Sequence, residues 1–145
     1  MREIIVESAE EMEALGAELV GQFLAEGRER GETVVVQLVG DLGAGKTTLA
    51  RGMARGLGIK EPVTSPTFTV HKEYNYSSGS GSLHHFDFYR LEDLGVMGNE
   101  LEELMREENN LILIEWGGIL GELVKNAKIM KIEKLTDEKR VLLLE

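Results

Sequence analysis

The residues best equipped for chemistry stand together: Gly40-Asp41-Leu42-Gly43-Ala44-Gly45-Lys46-Thr47-Thr48. They fit the phosphate-loop pattern G-x-x-x-x-G-K-[ST], with Gly40, Gly45, Lys46 and Thr47 at the required places. Glycines let backbone N–H groups turn inward and approach phosphate oxygens with no Cβ in the way. A helix starting directly after the loop adds its partial positive charge. Lys46 is expected to reach the β- and γ-phosphates and the Thr47 hydroxyl to ligate Mg²⁺, with Asp41 to Thr48 as the nucleotide-binding stretch.

Three further places can complete such a site. Leu111-Ile112-Leu113-Ile114-Glu115-Trp116 is an apolar run ending in an acid, a Walker B-like pattern that brings a carboxylate out at the end of a buried strand. Glu115 is therefore the candidate second Mg²⁺ ligand, while Trp116 either stacks near the nucleotide or packs. Asp87 lies among aromatics in Leu83-His84-His85-Phe86-Asp87-Phe88-Tyr89-Arg90-Leu91. Its two readings are a carboxylate aimed at Mg²⁺ or the attacking water, and a structural acid satisfied by Arg90 or backbone amides. Ser65, Pro66 and Thr67, in a hydroxyl-rich loop that holds both prolines of the chain, occupy the place of a switch that senses the γ-phosphate. Adjacent His84 and His85 point to opposite faces of a strand and read as structural.

These residues need elements to position them. Val34–Val39, rich in β-branched residues, reads as a buried strand before the loop, and Thr48 to Leu57 as the helix after it. Arg2–Val6 reads as a first strand. Ser8 is an N-cap for a helix whose apolar face runs through Met12, Leu15, Leu19, Val20 and Phe23 to about Ala25, with Gly27 and Gly31 ending it. Pro62 and Pro66 forbid a helix across 60–70. Phe68–Tyr76 and Leu83–Leu91 read as two strands about a Ser/Gly loop at 77–82, with alternation placing His85, Asp87 and Tyr89 on one face. Leu91–Glu108 is an acidic helical stretch with candidate breaks at Gly95 and Gly98, Gly117–Val124 a loop or short helix, and Lys128–Lys134 with Arg140–Leu144 a terminal hairpin. The expected fold class is α/β: residues 1–145 as a single P-loop NTPase domain, a mostly parallel central sheet flanked by helices, with antiparallel hairpin additions.

Composition sets outer bounds. With 145 residues, 42% hydrophobic and 29% charged, the chain is ordinary for a globular domain. It has no cysteine, hence no disulfides and no thiolate metal site, and no apolar run long enough for a membrane helix. The N-terminus does not read as a signal peptide, and a cytoplasmic location is expected. The formal net charge of −10 disfavours direct binding to nucleic-acid backbones.

At Gly40–Thr48, Ser65-Pro66-Thr67-Phe68-Thr69, Glu73-Tyr74, His85–Leu91 and Glu115-Trp116 the chain resembles the TsaE (formerly YjeE) family. These are small bacterial ATPases of tRNA threonylcarbamoyladenosine biosynthesis. The resemblance implies an ATPase that works with the TsaB–TsaD pair, which transfers a threonylcarbamoyl group to adenosine 37 of tRNAs reading A-starting codons. ATP hydrolysis then resets that complex, and tRNA is met only through it. It also implies that Lys46 and the 43–48 amides hold phosphate, that Thr47 and Glu115 bind Mg²⁺, that Asp87 assists hydrolysis, and that Ser65-Pro66-Thr67 is the switch. The chain departs from the family pattern after Trp116, where Gly117-Gly118 stand in place of Pro or Ser and then Glu. The absence of an evident arginine finger, Arg90 being the nearest candidate, predicts weak hydrolysis alone and stimulation by partners. A small-molecule kinase is the alternative, but the arginines are scattered and no segment reads as a lid. A GTPase lacks its Asn-Lys-x-Asp motif here, and a non-hydrolysing adaptor is the remaining class.

Overall fold

The structure, a computed structural model, describes residues 2–41, 43–64, 71–76, 81–89 and 92–145. Seven strands and three α-helices follow along these residues: β1 (Arg2–Val6), α1 (Ala9–Arg30), β2 (Val34–Val39), α2 (Lys46–Gly56), β3 (His71–Asn75), β4 (Ser82–Asp87), α3 (Val96–Met105), β5 (Leu111–Glu115), β6 (Lys128–Lys134) and β7 (Arg140–Leu144). A 3₁₀ segment, Gly117–Val124, joins β5 to β6. The strands form one sheet in the order β1-β7-β6-β2-β5-β4-β3. Its centre, β6-β2-β5-β4, is parallel, and both flanks are antiparallel additions.

The sheet is buried on both faces, which is why β5 is a continuous apolar run. Leu111 and Leu113 join the core that α1 and α2 cover, with Leu19, Val36, Leu38, Leu49 and Met53. Ile112 and Ile114 face the other way, into a second core of Phe86, Phe88, Leu101, Leu120 and Val124 beneath α3 and the 3₁₀ segment. The pleat alone divides these residues between two cores.

Helix α1 starts where the sequence places it. Ser8 is extended (φ −157°) and its Oγ accepts from Glu11 N–H at 3.2 Å. Glu11 reaches back to Glu7 N–H, a reciprocal cap that satisfies two otherwise orphaned donors. The end differs from expectation. The helix runs past Ala25 to Arg30 and stops at Gly31 in the left-handed region (φ 66°). Gly27 lies inside it because the Glu32 carbonyl oxygen and Val34 Cγ2 come within 2.8 and 3.0 Å of where a Cβ would stand. That glycine serves packing, not termination.

Other boundaries moved for local reasons. Helix α3 begins only after Gly95, because Asp93 Oδ1 accepts Gly95 N–H at 3.0 Å and holds a turn; at the far end, Arg106 and Glu107 form 3₁₀-type bonds that close it. Strand β4 ends at Asp87, whose carboxylate accepts Tyr89 N–H at 2.9 Å and turns the chain. The expected strand across 68–76 is seen as β3, with residues 65–70 outside the described residues. Among the described residues no helix is long and apolar enough to cross a membrane.

Candidate nucleotide site

The glycine loop leaves the C-terminal end of β2 and enters α2 at Lys46. Gly43 (φ 82°) and Gly45 (φ 113°) hold backbone conformations that side chains rarely adopt. Ala44 N–H donates to Asp41 O at 3.0 Å and closes the loop. Helix α2 starts two residues earlier than expected, so Lys46, Thr47 and Thr48 all sit in its first turn. Among the described residues no side chain caps that end, which leaves its N–H groups and positive dipole end for an anion. Leu42 lies outside the described residues.

Parallel register then assembles the acids. Leu38 of β2 is level with Glu115 of β5, and Glu115 is level with Asp87 of β4. The C-terminal ends of three adjacent strands thus carry the loop, the Walker B-like acid and the second acid side by side, where open α/β sheets place ligands. Lys46 Nζ lies 3.6 Å from Glu115 Oε1, both side chains almost fully buried. The same ammonium sits 4.3 Å from the centre of the Trp116 ring. Trp116 is in the left-handed region (φ 55°), uncommon for a bulky residue, and its ring tilts against Tyr89 at 4.9 Å. Trp116 is thus placed against Lys46.

Sequence reasoning took His85 as structural. Its ring is fully buried, and Nε2 meets Glu115 Oε2 at 2.5 Å. The two oxygens of Glu115 therefore have separate partners: His85 holds one, and the other faces Lys46. Burial raises the Glu115 pKa, but the hydrogen bond and charge of His85, with Lys46, outweigh it and hold the carboxyl below its ordinary range. Asp87 goes the other way. Burial first, then the neighbouring Glu115 charge, push it up against the opposing Tyr89 amide, His85 and Lys46. Two carboxyls with opposite shifts suit two roles, a persistent anion and a proton acceptor.

A second residue was missed entirely. Arg140, at the start of β7, donates from Nε to Ala44 O at 2.8 Å. It also borders a cavity of about 290 Å³ beside Gly45 and Thr48, lined by Ser8, Glu10, Met12 and Asp137 among others. No local pattern signals either contact, although alternation had put His85 on the face of Asp87. Ser65, Pro66, Thr67 and Arg90 lie outside the described residues. Next to that segment, Lys72 Nζ donates to Thr64 Oγ1 at 2.8 Å.

A model of the TsaE family, described as threonylcarbamoyl adenosine biosynthesis protein TsaE, matches residues 6–142. Curated relatives named tRNA threonylcarbamoyladenosine biosynthesis protein TsaE include one from Bacillus subtilis (strain 168), 41% identical over 73% of this chain and 65% of its own length. One from Nostoc sp. is 44% identical over 68% of this chain and 57% of its own length. A third, from Aquifex aeolicus, is 37% identical over 90% of this chain and 97% of its own. The chain thus spans less than two thirds of the first two relatives. Among solved structures, the crystal structure of Bacillus subtilus YdiB superimposes with a TM-score of 0.73 at 32% identity, covering 99% of this chain and 83% of that one.

Proposed function

The chain belongs to the TsaE family of threonylcarbamoyl adenosine biosynthesis proteins, and on that premise we propose that it is a cytoplasmic ATPase subunit serving tRNA threonylcarbamoyladenosine formation. The observation that carries this reading is the row of three parallel strand ends, with the glycine loop, Glu115 and Asp87 in register and Lys46 3.6 Å from Glu115.

The reaction is transfer of the γ-phosphoryl group to water. The water oxygen bonds to the γ-phosphorus, the bond to the β,γ-bridging oxygen breaks, and ADP and phosphate leave. The loop amides of 43–48 and Lys46 hold the phosphates and offset their charge. Asp87 accepts the proton of the attacking water, a role that its raised pKa supports. The Thr47 hydroxyl and the Glu115 carboxylate are hard oxygen donors that fit Mg²⁺, an ion that keeps most of its shell for water and phosphate. When bound, Mg²⁺ neutralises phosphate charge. The nucleoside end would enter the cavity between Ser8–Met12 and the 137–140 turn.

The TsaB–TsaD pair is the proposed partner, with hydrolysis resetting it between turnovers. A chain of net charge −10 is suited to meeting tRNA through that complex and not directly. The test is ATP hydrolysis with Mg²⁺, by the protein alone and with TsaB–TsaD and tRNA. Slow turnover that rises steeply with partners is expected. Equal rates would refute partner activation, and phosphorylation of a metabolite instead of water would make the protein a kinase.

A further inference from the structure

We propose that Arg140 is a positioning residue for the phosphate loop, tying the terminal hairpin to the loop backbone and setting it for an anionic ligand. This rests on the nucleotide-binding reading above. Arg140 stands 96 residues from Ala44 in the chain, yet its guanidinium bridges two backbone segments. On one side Nε donates to Ala44 O at 2.8 Å and Nη2 lies 3.5 Å from Gly43 O. On the other, Nη1 donates to the carbonyls of Thr136, Asp137 and Lys139 at 2.8, 3.1 and 3.1 Å.

Two consequences follow. The first is geometric. Across a trans peptide the carbonyl and the next N–H point in opposite directions. Drawing Ala44 O toward Arg140 therefore turns Gly45 N–H to the opposite side of the loop. The bond to Gly43 O acts likewise on Ala44 N–H, which donates to Asp41 O. Glycines at 43 and 45 give the chain freedom at this point, and a rigid five-donor fork removes it before a ligand arrives.

The second is electrostatic. Among the described residues the hydrogen-bond acceptors of Arg140 are all backbone carbonyls. Asp137, the acid in the same turn, pairs with Lys134 at 3.4 Å. Arg140 thus adds a positive charge under the loop, in a chain whose net charge is −10.

The test compares the full chain with its Arg140→Gln and Arg140→Lys variants. ADP and inorganic pyrophosphate are titrated calorimetrically, and amide exchange of the 40–48 segment is followed without ligand. Pyrophosphate has no nucleoside, so it separates the loop from the adjoining cavity. Arg140→Gln should weaken both ligands by about tenfold or more, a factor worth about 1.4 kcal/mol. Arg140→Lys, which keeps the charge and loses the fork, should fall between. Exchange in 40–48 should quicken while that in β6 does not, and the ATP KM should rise more than kcat falls. Wild-type affinity for both ligands in Arg140→Gln overturns the inference, as does weaker ADP binding with unchanged pyrophosphate binding, which would confine Arg140 to the cavity. Should Arg140→Gln not fold, unchanged loop exchange and affinity in Arg140→Lys overturns it. If the unsubstituted protein binds neither ligand, the nucleotide reading itself falls, and this inference with it.

Discussion

Replacing His85 by alanine tests the centre of the site. The substitution removes a hydrogen bond of 2.5 Å to a carboxylate that is only 4% exposed. A hydrogen bond to a charged group contributes about 1.5–3 kcal/mol. The ring is fully buried, and deleting it leaves a cavity costing on the order of another 1–2 kcal/mol. The sum, about 2.5–5 kcal/mol, is a large share of a typical domain's stability and should lower Tm by about 8–15 °C. The pH profile carries a sharper signal. A carboxyl held below its ordinary pKa stabilises the fold above the unfolded value, and that contribution is lost as pH falls through the lowered folded value. Without His85, burial is opposed by Lys46, so the folded pKa of Glu115 rises toward the unfolded value and the stability gained as pH climbs through the carboxylate range shrinks. The assay is urea denaturation from about pH 3 to pH 8, which spans the carboxylate range. His85→Gln, whose amide can still donate to Glu115, should recover at least half of the loss. A variant within about 1 kcal/mol of the parent, with the same pH profile, would refute the reasoning, since that is less than one such hydrogen bond.

Other outcomes follow from the same geometry. Lys46→Ala should weaken ATP binding by about a hundredfold, measured calorimetrically, because a charge-assisted contact is lost. Asp87→Asn should keep ATP binding and lose turnover while gaining stability at neutral pH. A raised folded pKa means that stability declines as pH rises through the carboxylate range, and asparagine removes that decline; a destabilised variant would make Asp87 a structural acid. Gly52→Ala should cost about 2–3 kcal/mol in thermal or chemical unfolding, because its Cβ would run into the Glu13 backbone carbonyl of α1. Tyr76, pushed up to about 12 chiefly by burial, should make stability fall as pH rises from about 10, and Tyr76→Phe should abolish that fall.

Much of the fold was written locally. The β-branched Val34–Val39, the glycine loop and the helix formers behind it give strand, loop and helix because each follows from propensity and spacing within a few residues. Ser8 and Glu11 cap α1, and the Lys128–Leu144 hairpin forms as its alternation requires. Glu115 was legible because a strand buried on both faces must turn polar where it emerges.

Local pattern erred where a glycine's role depended on what packs beside it. Gly27 reads as a helix stop in isolation, but the Glu32 carbonyl and Val34 need its missing Cβ, so the helix continues. What the sequence by itself determined is therefore the parts: the loop, its flanking elements, and the acids at two strand ends. Only the tertiary structure decided their neighbours. Placing β5 between β2 and β4 brought Glu115 level with Asp87 and against His85, 30 residues away in the chain, and β7 carried Arg140 to the phosphate loop. Helical and strand periodicities reach only a few residues, whereas these contacts depend on strand order and register, which the whole sheet sets by burying both its faces.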